Sequence, residues 1–296
     1  MAQLNGSTGW LAFANEAVSY GTLGATPVYQ QGISCKPVYN RQRITPPTLG
    51  SAAPDVGSLI VSEYWDVSCQ LAYSHEADDV SVLYSICGDT TTNSHNLIGT
   101  PDNTSLSVCA DYGGVEYDYL GSVPYKVTWN LINSGPSTMD ISFTAKSCAK
   151  YAGAARTPAC PPASEICLPG GLTSTFTHST GTAIESLKAA TITWERTLSG
   201  ADRIRLGSST IPQPINIGDR THKISGSFTV ELDTVSGNNS VAVVDLFLAN
   251  TSLAAVVAES FAIGGCVVMG DMPELSRGMR DVTINWEATS LTVTTS

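Results

Sequence analysis

A strand, a loop and a short helix occur twice along this sequence, and this repetition constrains the fold more than any other feature. The first copy runs from Trp65 to Gly88 and the second from His222 to Asn250. In each copy apolar or small residues alternate with polar ones, which is the period of a half-buried strand. A polar turn, capping residues and apolar residues at helical spacing follow. Each copy therefore predicts one strand followed by one short helix.

The spacing between the copies favours duplication of a whole domain. The two strands begin 157 residues apart, and KVTWN from Lys126 returns 155 residues later as DVTIN from Asp281. A shared order of elements at nearly one offset is hard to obtain by chance. We predict a first domain with an N-terminal arm over residues 1–152, a Pro- and Cys-containing linker over 153–171, and a second domain over 172–296.

The amino-acid usage predicts a mainly β protein. Val, Ile, Thr and Ser are punctuated by 26 Gly and 15 Pro, as in strands separated by turns. The sequence has no run of about 18 apolar residues, so no membrane span is expected. Its N-terminus lacks the charged-then-apolar layout of a signal peptide, which favours synthesis in the cytosol.

Negative charge is concentrated in the first half of the chain. No Lys or Arg lies between Arg43 and Lys126, and the eleven acidic residues there equal in number the net charge of −11. Such a stretch predicts a strongly negative field around the first domain, although any one acid is most simply part of a solvated surface. DNA-binding proteins carry the opposite sign, because basic side chains neutralise phosphates.

The eight cysteines are expected to be mostly reduced, buried thiols, since the chain shows no signal peptide. Three of them flank the Pro-rich segment and are candidates for a disulfide or a metal clip: Cys148, Cys160 and Cys167. A zinc site is the less favoured alternative, because no C-x-x-C occurs and the four histidines do not fall at ligand spacing.

Two long stretches without strand or helix period, Arg41 to Ser62 and Leu198 to Thr221, lie near the repeated strand in both predicted domains. Loops of that length in a compact domain are usually functional or disordered. Six of the nine arginines lie in or beside them: Arg41, Arg43, Arg196, Arg203, Arg205 and Arg220. Because a guanidinium fits a carboxylate as a fork, we predict that these loops contact acidic surface on a neighbouring copy.

The sequence offers little for catalysis. It contains no nucleophile elbow, Walker loop, zinc-protease helix or calcium loop. Glu116 and Asp118 are a possible acid and base pair, but two carboxylates on one strand face more often meet solvent than frame a sugar. We therefore expect neither enzymatic activity nor a cofactor.

Four segments, together and in this order, carry a resemblance to a known family. They are EAVSYGT (Glu16 to Thr22), NTSLSVCADYGGVEYDYLGSVPYKVTW (Asn103 to Trp129), ATITWERTL (Ala190 to Leu198) and DRTHKISGSFTVEL (Asp219 to Leu232) with its helix. The chain resembles the tail tube, or major tail, proteins of long-tailed bacteriophages. The likeness spans most of the chain outside the linker. The cysteine-bearing linker and the high cysteine count depart from the pattern of this family.

The resemblance implies a β-sandwich or split-barrel fold with a short flanking helix in each domain. Copies of such proteins close into rings, and the rings stack into a tube through which the genome passes. The implied partners are further copies of the chain, the terminator, tape measure and distal tail proteins, and passing DNA without specific binding. The implied location is the virion, after assembly in the host cytoplasm.

A conduit for DNA must not hold DNA, so an acidic lining is expected. The candidate lumen residues are Asp66, Glu76, Asp78, Asp79, Glu116 and Asp118. Single-domain proteins of this resemblance build six-fold rings, so a chain with two homologous domains is expected to fill six places with three copies.

Three rivals come from other classes. A secreted two-domain adhesin or carbohydrate-binding protein fits the composition and the Asn-x-Ser/Thr sites at Asn5, Asn103 and Asn250, but not the missing signal peptide. A capsid decoration protein differs from a tube subunit by its place in a virion. An enzyme is the remaining rival.

Overall fold

The protein folds as a mainly β structure of antiparallel strands, as the sequence predicts. A computed structural model describes residues 9–16, 20–23, 26–44, 59–73, 82–83, 94–97, 105–159, 174–177, 183–184, 187–197, 222–231, 253–257, 261–270 and 281–294.

Seventeen strands are present in these ranges. They are β1 (Leu11–Asn15), β2 (Val28–Gln30), β3 (Gly32–Ile44), β4 (Leu59–Ala72), β5 (Ser94–Asn96), β6 (Leu106–Asp111), β7 (Glu116–Ile132), β8 (Thr138–Ala145), β9 (Ser147–Lys150), β10 (Ser174–Thr177), β11 (Ala183–Ile184), β12 (Leu187–Arg196), β13 (His222–Glu231), β14 (Leu253–Val257), β15 (Phe261–Met269), β16 (Asp281–Ala288) and β17 (Ser290–Thr294).

The strands form one large sheet and two small ones. The large sheet has the order β3-β4-β8-β7-β12-β13-β16-β15. The small sheets have the orders β2-β1-β6-β7-β9 and β11-β10-β14-β15-β17-β5. The long strands β7 and β15 each belong to the large sheet and to a small one. One cluster of buried apolar side chains draws on the strands of both halves of the chain.

The same connectivity occurs twice. Each of the seven pairings within β1–β4 and β6–β9 has a counterpart within β10–β17 when the strands are matched in order. The strand β5 has no counterpart and pairs with β17 of the second half. Under this match β4 corresponds to β13, as the 157-residue offset indicates.

The second sequence match behind the repeat is wrong by one strand. Lys126 of KVTWN lies in β7, whereas Asp281 of DVTIN lies in β16, which takes the place of β8. The two segments look alike because both alternate polar residues with buried apolar ones on the large sheet, not because they occupy equivalent positions.

The two halves fill equivalent core positions with different volumes. Cys69 and Ile141 are partners across β4 and β8, and Gly226 and Trp286 take their places across β13 and β16. A Cβ on Gly226 would overlap the carbonyl oxygen of Thr191 and the Trp286 ring. The small and large residues therefore compensate each other, which preserves close packing.

Two predicted stretches differ from the structure, and the two predicted helices are described only in part. The stretch from Arg41 to Ser62 was predicted to be irregular, but β3 continues to Ile44 and β4 begins at Leu59, because the two arms pair with each other and satisfy their backbone groups. Part of the N-terminal arm is the buried strand β1. Val82 and Leu83 lie in the first predicted helix and are helical and buried, and the second predicted helix lies outside the described residues.

We predict that Gly226→Ala lowers the free energy of unfolding by about 2 kcal/mol, because the added methyl group overpacks the site. Gly135→Ala is the control, since its Cβ would meet only Ile132 at 3.4 Å, and it should change stability by less than about 0.5 kcal/mol. Urea unfolding of both variants measures the difference. Equal stabilities would contradict this account of the packing around Trp286.

Candidate functional site

The large sheet presents one face that no described strand covers, which we call the open face. Apolar residues on its strands alternate with polar ones, and the apolar set is buried against the small sheets. The open face carries Lys36, Val38, Asn40, Asp66, Ser68, Gln70, Lys126, Thr128, Asn130, Thr138, Asp140, Ser142, Thr191, Thr193, Glu195, Lys223, Ser225, Ser227, Thr229, Glu231, Asp281, Thr283, Asn285 and Glu287.

Hydroxyl and amide side chains dominate the open face and bond to one another across strands. The hydroxyls of Thr128 and Thr193 lie 3.2 Å apart across the β7–β12 pair. Asn130 donates to Asp140 at 2.8 Å, and Asn40 donates to Asp66 at 2.7 Å. The side chains are thereby held against the sheet, which leaves a level polar surface.

Two of the four described lysines on the open face form ion pairs, and the described charges there are weighted toward acids. Lys188 reaches it and contacts Asp281 at 2.7 Å and Glu231 at 3.4 Å. Lys223 contacts Glu287 at 2.7 Å. Six acidic residues face four lysines, and none of the described residues on this face is an arginine. Exposed ion pairs of this kind add little to stability, but they offset the charges of Lys188 and Lys223.

Exposed apolar side chains gather at the two edges of the large sheet. Of the described residues, β4 is the one strand that pairs with β3, and no strand covers the outer side of Val267 to Met269 in β15. Among the residues whose exposure the structure describes, seven large hydrophobic ones are exposed, and five lie on these two strands: Ile33, Val38, Tyr39, Val267 and Met269. An unpaired strand edge can pair with another chain, and apolar side chains grouped on such an edge favour a protein contact there.

The two halves of the chain join through a pair of strands that correspond, in the repeat, to these two edge strands. β7 of the first half pairs with β12 of the second over seven residues, with Val127 opposite Trp194 and Lys126 opposite Glu195. In the repeat β12 corresponds to β3, and β7 corresponds to β15. The two outer edges are therefore the counterparts of the two strands that already pair inside the chain.

The register of the repeat sets which residues correspond. Cys35 pairs with Cys69 as Ile192 pairs with Gly226, so Val38 takes the place of Glu195. Val127 and Val268 pair with the equivalent residues of β8 and β16, so Val267 takes the place of Lys126. An exposed valine thus stands on each edge where the internal junction has a charged residue.

The predicted arginines are divided by the structure. Arg41 is exposed, contacts Glu63 at 3.1 Å and lies over the ring of Tyr39. Arg196 is buried and donates from Nε to the carbonyl of Pro124 at 2.8 Å, so it is not available to a neighbouring copy. Arg43 lies in β3. Arg203, Arg205 and Arg220 lie outside the described residues.

The predicted acidic residues are also divided. Asp66 lies on the open face, whereas Glu116 and Asp118 are buried under residues 151–159 at the start of the predicted linker. Their charge is directed at Arg156, so they leave the set of lumen candidates. Glu76, Asp78 and Asp79 lie outside the described residues. Sequence reasoning missed the other acids of the open face: Asp140, Glu195, Glu231, Asp281 and Glu287.

Arg156 holds the start of the predicted linker against the first small sheet. Its guanidinium donates two hydrogen bonds to Asp118, at 2.7 and 2.9 Å, and its backbone N–H donates to Glu116 at 2.9 Å. It also stacks on Tyr151, 3.8 Å from the ring centre. The bonds to Asp118 raise the pKa of Arg156 still further above its ordinary value. Residues 151–159 thus belong to the folded body of the first half.

Glu16, the first residue of the EAVSYGT segment, is buried and its carboxylate is surrounded by hydrogen-bond donors. Glu16 accepts hydrogen bonds from the hydroxyls of Ser105 and Ser107, both at 2.6 Å, and from the backbone N–H groups of Gly21 and Gly121. A carboxylate with four donors is well satisfied in the interior. The motif therefore has a structural role, to hold the chain after β1 against β6 and β7.

The disulfide or metal clip predicted among Cys148, Cys160 and Cys167 falls largely outside the described residues. Cys148 carries a free thiol, and Cys160 and Cys167 lie outside the described residues. Within the described part of the chain, no three His, Cys, Asp or Glu side chains group as metal ligands. No helix in the same ranges has the length and hydropathy to cross a membrane.

Comparison with known proteins does not assign the chain to a family. No protein-family model matches it, and no curated protein matches it.

We predict that Arg156→Ala lowers the free energy of unfolding by about 3–5 kcal/mol, because it leaves two buried carboxylates without their cation. Arg41→Ala is the matched control, since it removes an exposed ion pair and should leave the unfolding midpoint nearly unchanged. Thermal unfolding followed by circular dichroism compares the two. A loss of the same size in both variants would contradict the burial argument.

Proposed function

We propose that this chain is a structural subunit of a phage tail tube, and that three copies close a pseudo-six-fold ring through their large sheets. The proposal rests on one observation. Inside the chain, the β7 edge of the first half pairs with the β12 edge of the second, and the two free edges, β15 and β3, are the counterparts of β7 and β12. The chain therefore contains this strand contact once, between β7 and β12. Among the described strands, the counterparts of these two edges are unpaired at the two ends of the large sheet.

Such a contact is heterologous, so repeating it either closes a ring or builds an open filament. If the same rotation relates successive halves, β3 of each copy pairs with β15 of the next in the register of the internal junction. Eight large-sheet strands from each of three chains then make a closed sheet of twenty-four strands. Closure removes both free edges of the large sheet.

The exposed valines fit this proposed contact. In the register of the internal junction, Val38 of one copy lies opposite Val267 of the next, where Glu195 lies opposite Lys126 inside the chain. These side chains are 47% and 40% exposed in the single chain. Their burial against each other gives an apolar contact between chains in place of a charged pair within one.

The open face is the proposed lining of the lumen. It offers hydroxyls, amides and a small excess of acids, and the lysines that pair with those acids are not free to neutralise phosphates. Low basic charge weakens nonspecific binding of DNA, which gains most of its free energy from phosphate neutralisation. The proposed partners in a virion are the terminator, tape measure and distal tail proteins, with DNA passing unbound.

We predict that Val38→Cys/Val267→Cys forms disulfides between chains in assembled protein and gives a ladder ending at a covalent trimer. Directly opposite residues in antiparallel strands have Cα atoms about 4.5–5.5 Å apart, within disulfide range. Non-reducing gel electrophoresis after mild oxidation measures the ladder, with each single variant as background. A ladder that continues past three, or none beyond background, would contradict the ring.

The matched control is Lys126→Cys/Glu195→Cys, which places the same bond at the internal junction. It should form within one chain and leave the apparent mass that of a monomer. Because both bonds join the same pair of strand positions, failure of the control would point to geometry, whereas failure of the outer pair alone would point to a different assembly.

The Arg-bearing loops remain the predicted contacts between stacked rings. Arg203→Glu/Arg205→Glu should block growth of tubes while leaving the fold intact, because charge reversal opposes contact with acidic surface. Negative-stain microscopy at high protein concentration measures tube formation, and circular dichroism checks the fold. Normal tubes from the variant would show that stacking uses another surface.

A further inference from the structure

A pair of cysteines on the first two strands of the large sheet is placed for redox chemistry. Cys35 of β3 and Cys69 of β4 are direct partners in the antiparallel register, and their sulfur atoms lie 3.7 Å apart with the Cys69 thiol donating to Cys35. Directly opposite residues in such strands lie within the Cα separation that a disulfide spans. A disulfide requires the two sulfur atoms to approach from 3.7 Å to about 2.05 Å.

The surroundings of the pair distinguish its two sulfurs. The phenol of Tyr112 also donates to Cys35, at 3.4 Å, and lies 3.0 Å from the Tyr119 hydroxyl. The hydrogen bonds from Cys69, first, and from Tyr112 lower the pKa of Cys35, although burial opposes this. The hydrogen bond to Cys35 and burial raise the pKa of Cys69 well above its ordinary value. These hydrogen bonds favour the thiolate at Cys35 over the thiolate at Cys69.

Cys35 is also open to small reagents. It is partly buried, whereas Cys69 is buried, and it lines a cleft of about 210 Å³ together with Trp10, Leu11 and Tyr112. The other described cysteines differ. Burial raises the pKa of Cys266 to about 12, and it also raises the pKa of Cys109 and of Cys148. Thiolate character and access together select the thiol that an oxidant attacks.

We propose that Cys35 and Cys69 form a peroxide-reactive dithiol that closes a reversible disulfide between β3 and β4. The Cys35 thiolate sulfur attacks one oxygen of a hydroperoxide, the O–O bond breaks, and the departing oxygen takes a proton and leaves as water when the oxidant is hydrogen peroxide. Cys35 becomes a sulfenic acid. The Cys69 sulfur then loses its proton and attacks that sulfur, the S–S bond forms, the S–O bond breaks, and a second water leaves.

The product ties the outermost strand of the large sheet to its neighbour. Among the described strands, only β4 pairs with β3, so the bond would oppose fraying at this edge. The inference rests on the side chains of one chain and does not depend on the proposed ring.

The test is oxidation of the purified, fully reduced chain with hydrogen peroxide, followed by alkylation and non-reducing peptide mapping. The expected result is a Cys35–Cys69 linked peptide that a thiol reductant removes, that Cys266→Ser retains and that Cys69→Ser abolishes. In Cys69→Ser the sulfenic acid at Cys35 should persist and give an adduct with a dimedone probe. Circular dichroism shows whether each variant keeps the fold.

A rate measurement on the unmodified chain keeps the test independent of folding of the variants. Limited alkylation should label Cys35 at least about tenfold faster than Cys266, since each unit of pKa changes the thiolate fraction about tenfold. Equal labelling rates, or peroxide treatment that gives no Cys35–Cys69 peptide in the unmodified chain, would overturn the proposal.

Discussion

The backbone pairing between β7 and β12 is the contact on which the rest of the architecture depends. It joins the two halves into one eight-stranded sheet, which gives the protein a continuous buried face and a continuous open face. Trp129 and Trp194, both fully buried, lie on the buried side of the two joined strands. The end strands β3 and β15 are the counterparts of the central strands β12 and β7. Among the described strands, the outer edge of each end strand has no pairing strand.

The two halves have diverged around this shared constraint. The second half replaces Cys69 and Ile141 by Gly226 and Trp286, which conserves packing. In the repeat, Val267 and Val38 of the outer edges correspond to Lys126 and Glu195 of the internal junction, so exposed valines stand where the junction has charged residues. In the proposed ring, internal and external junctions then share a backbone geometry but differ in side chains, as three copies of a two-domain chain permit and six copies of one domain would not.

Most structural features that could be predicted from the sequence came from the alternation of apolar and polar residues. It correctly indicated the repeated strand in both copies, which the structure shows as β4 and β13, because burial on one face leaves a period of two. The same period places Arg196 on the buried side with Trp194, a signal that the clustering of arginines obscured. It also marks Thr191, Thr193 and Glu195 as one polar face, which defines the open face without reference to any acidic run.

Contacts distant in sequence were beyond such reasoning. Arg156 lies in the stretch predicted to be a linker. Nothing local in the sequence indicates that this Pro-rich segment packs on the strand that carries Asp118. The one-strand error in matching Lys126 to Asp281 has the same origin, because a strand's pattern reports its face and not its place in a sheet. The proximity of Cys35 to Cys69 depends on the register of β3 with β4, which the sequence left undetermined.

An electron cryomicroscopy reconstruction of the assembled protein, with its ring symmetry determined, tests the proposed ring directly. We expect three chains per ring with three-fold symmetry, six similar lobes, and β3 of each chain hydrogen-bonded to β15 of the next. A strict six-fold ring with twelve half-chain units, or a map in which β3 and β15 stay apart, would contradict it.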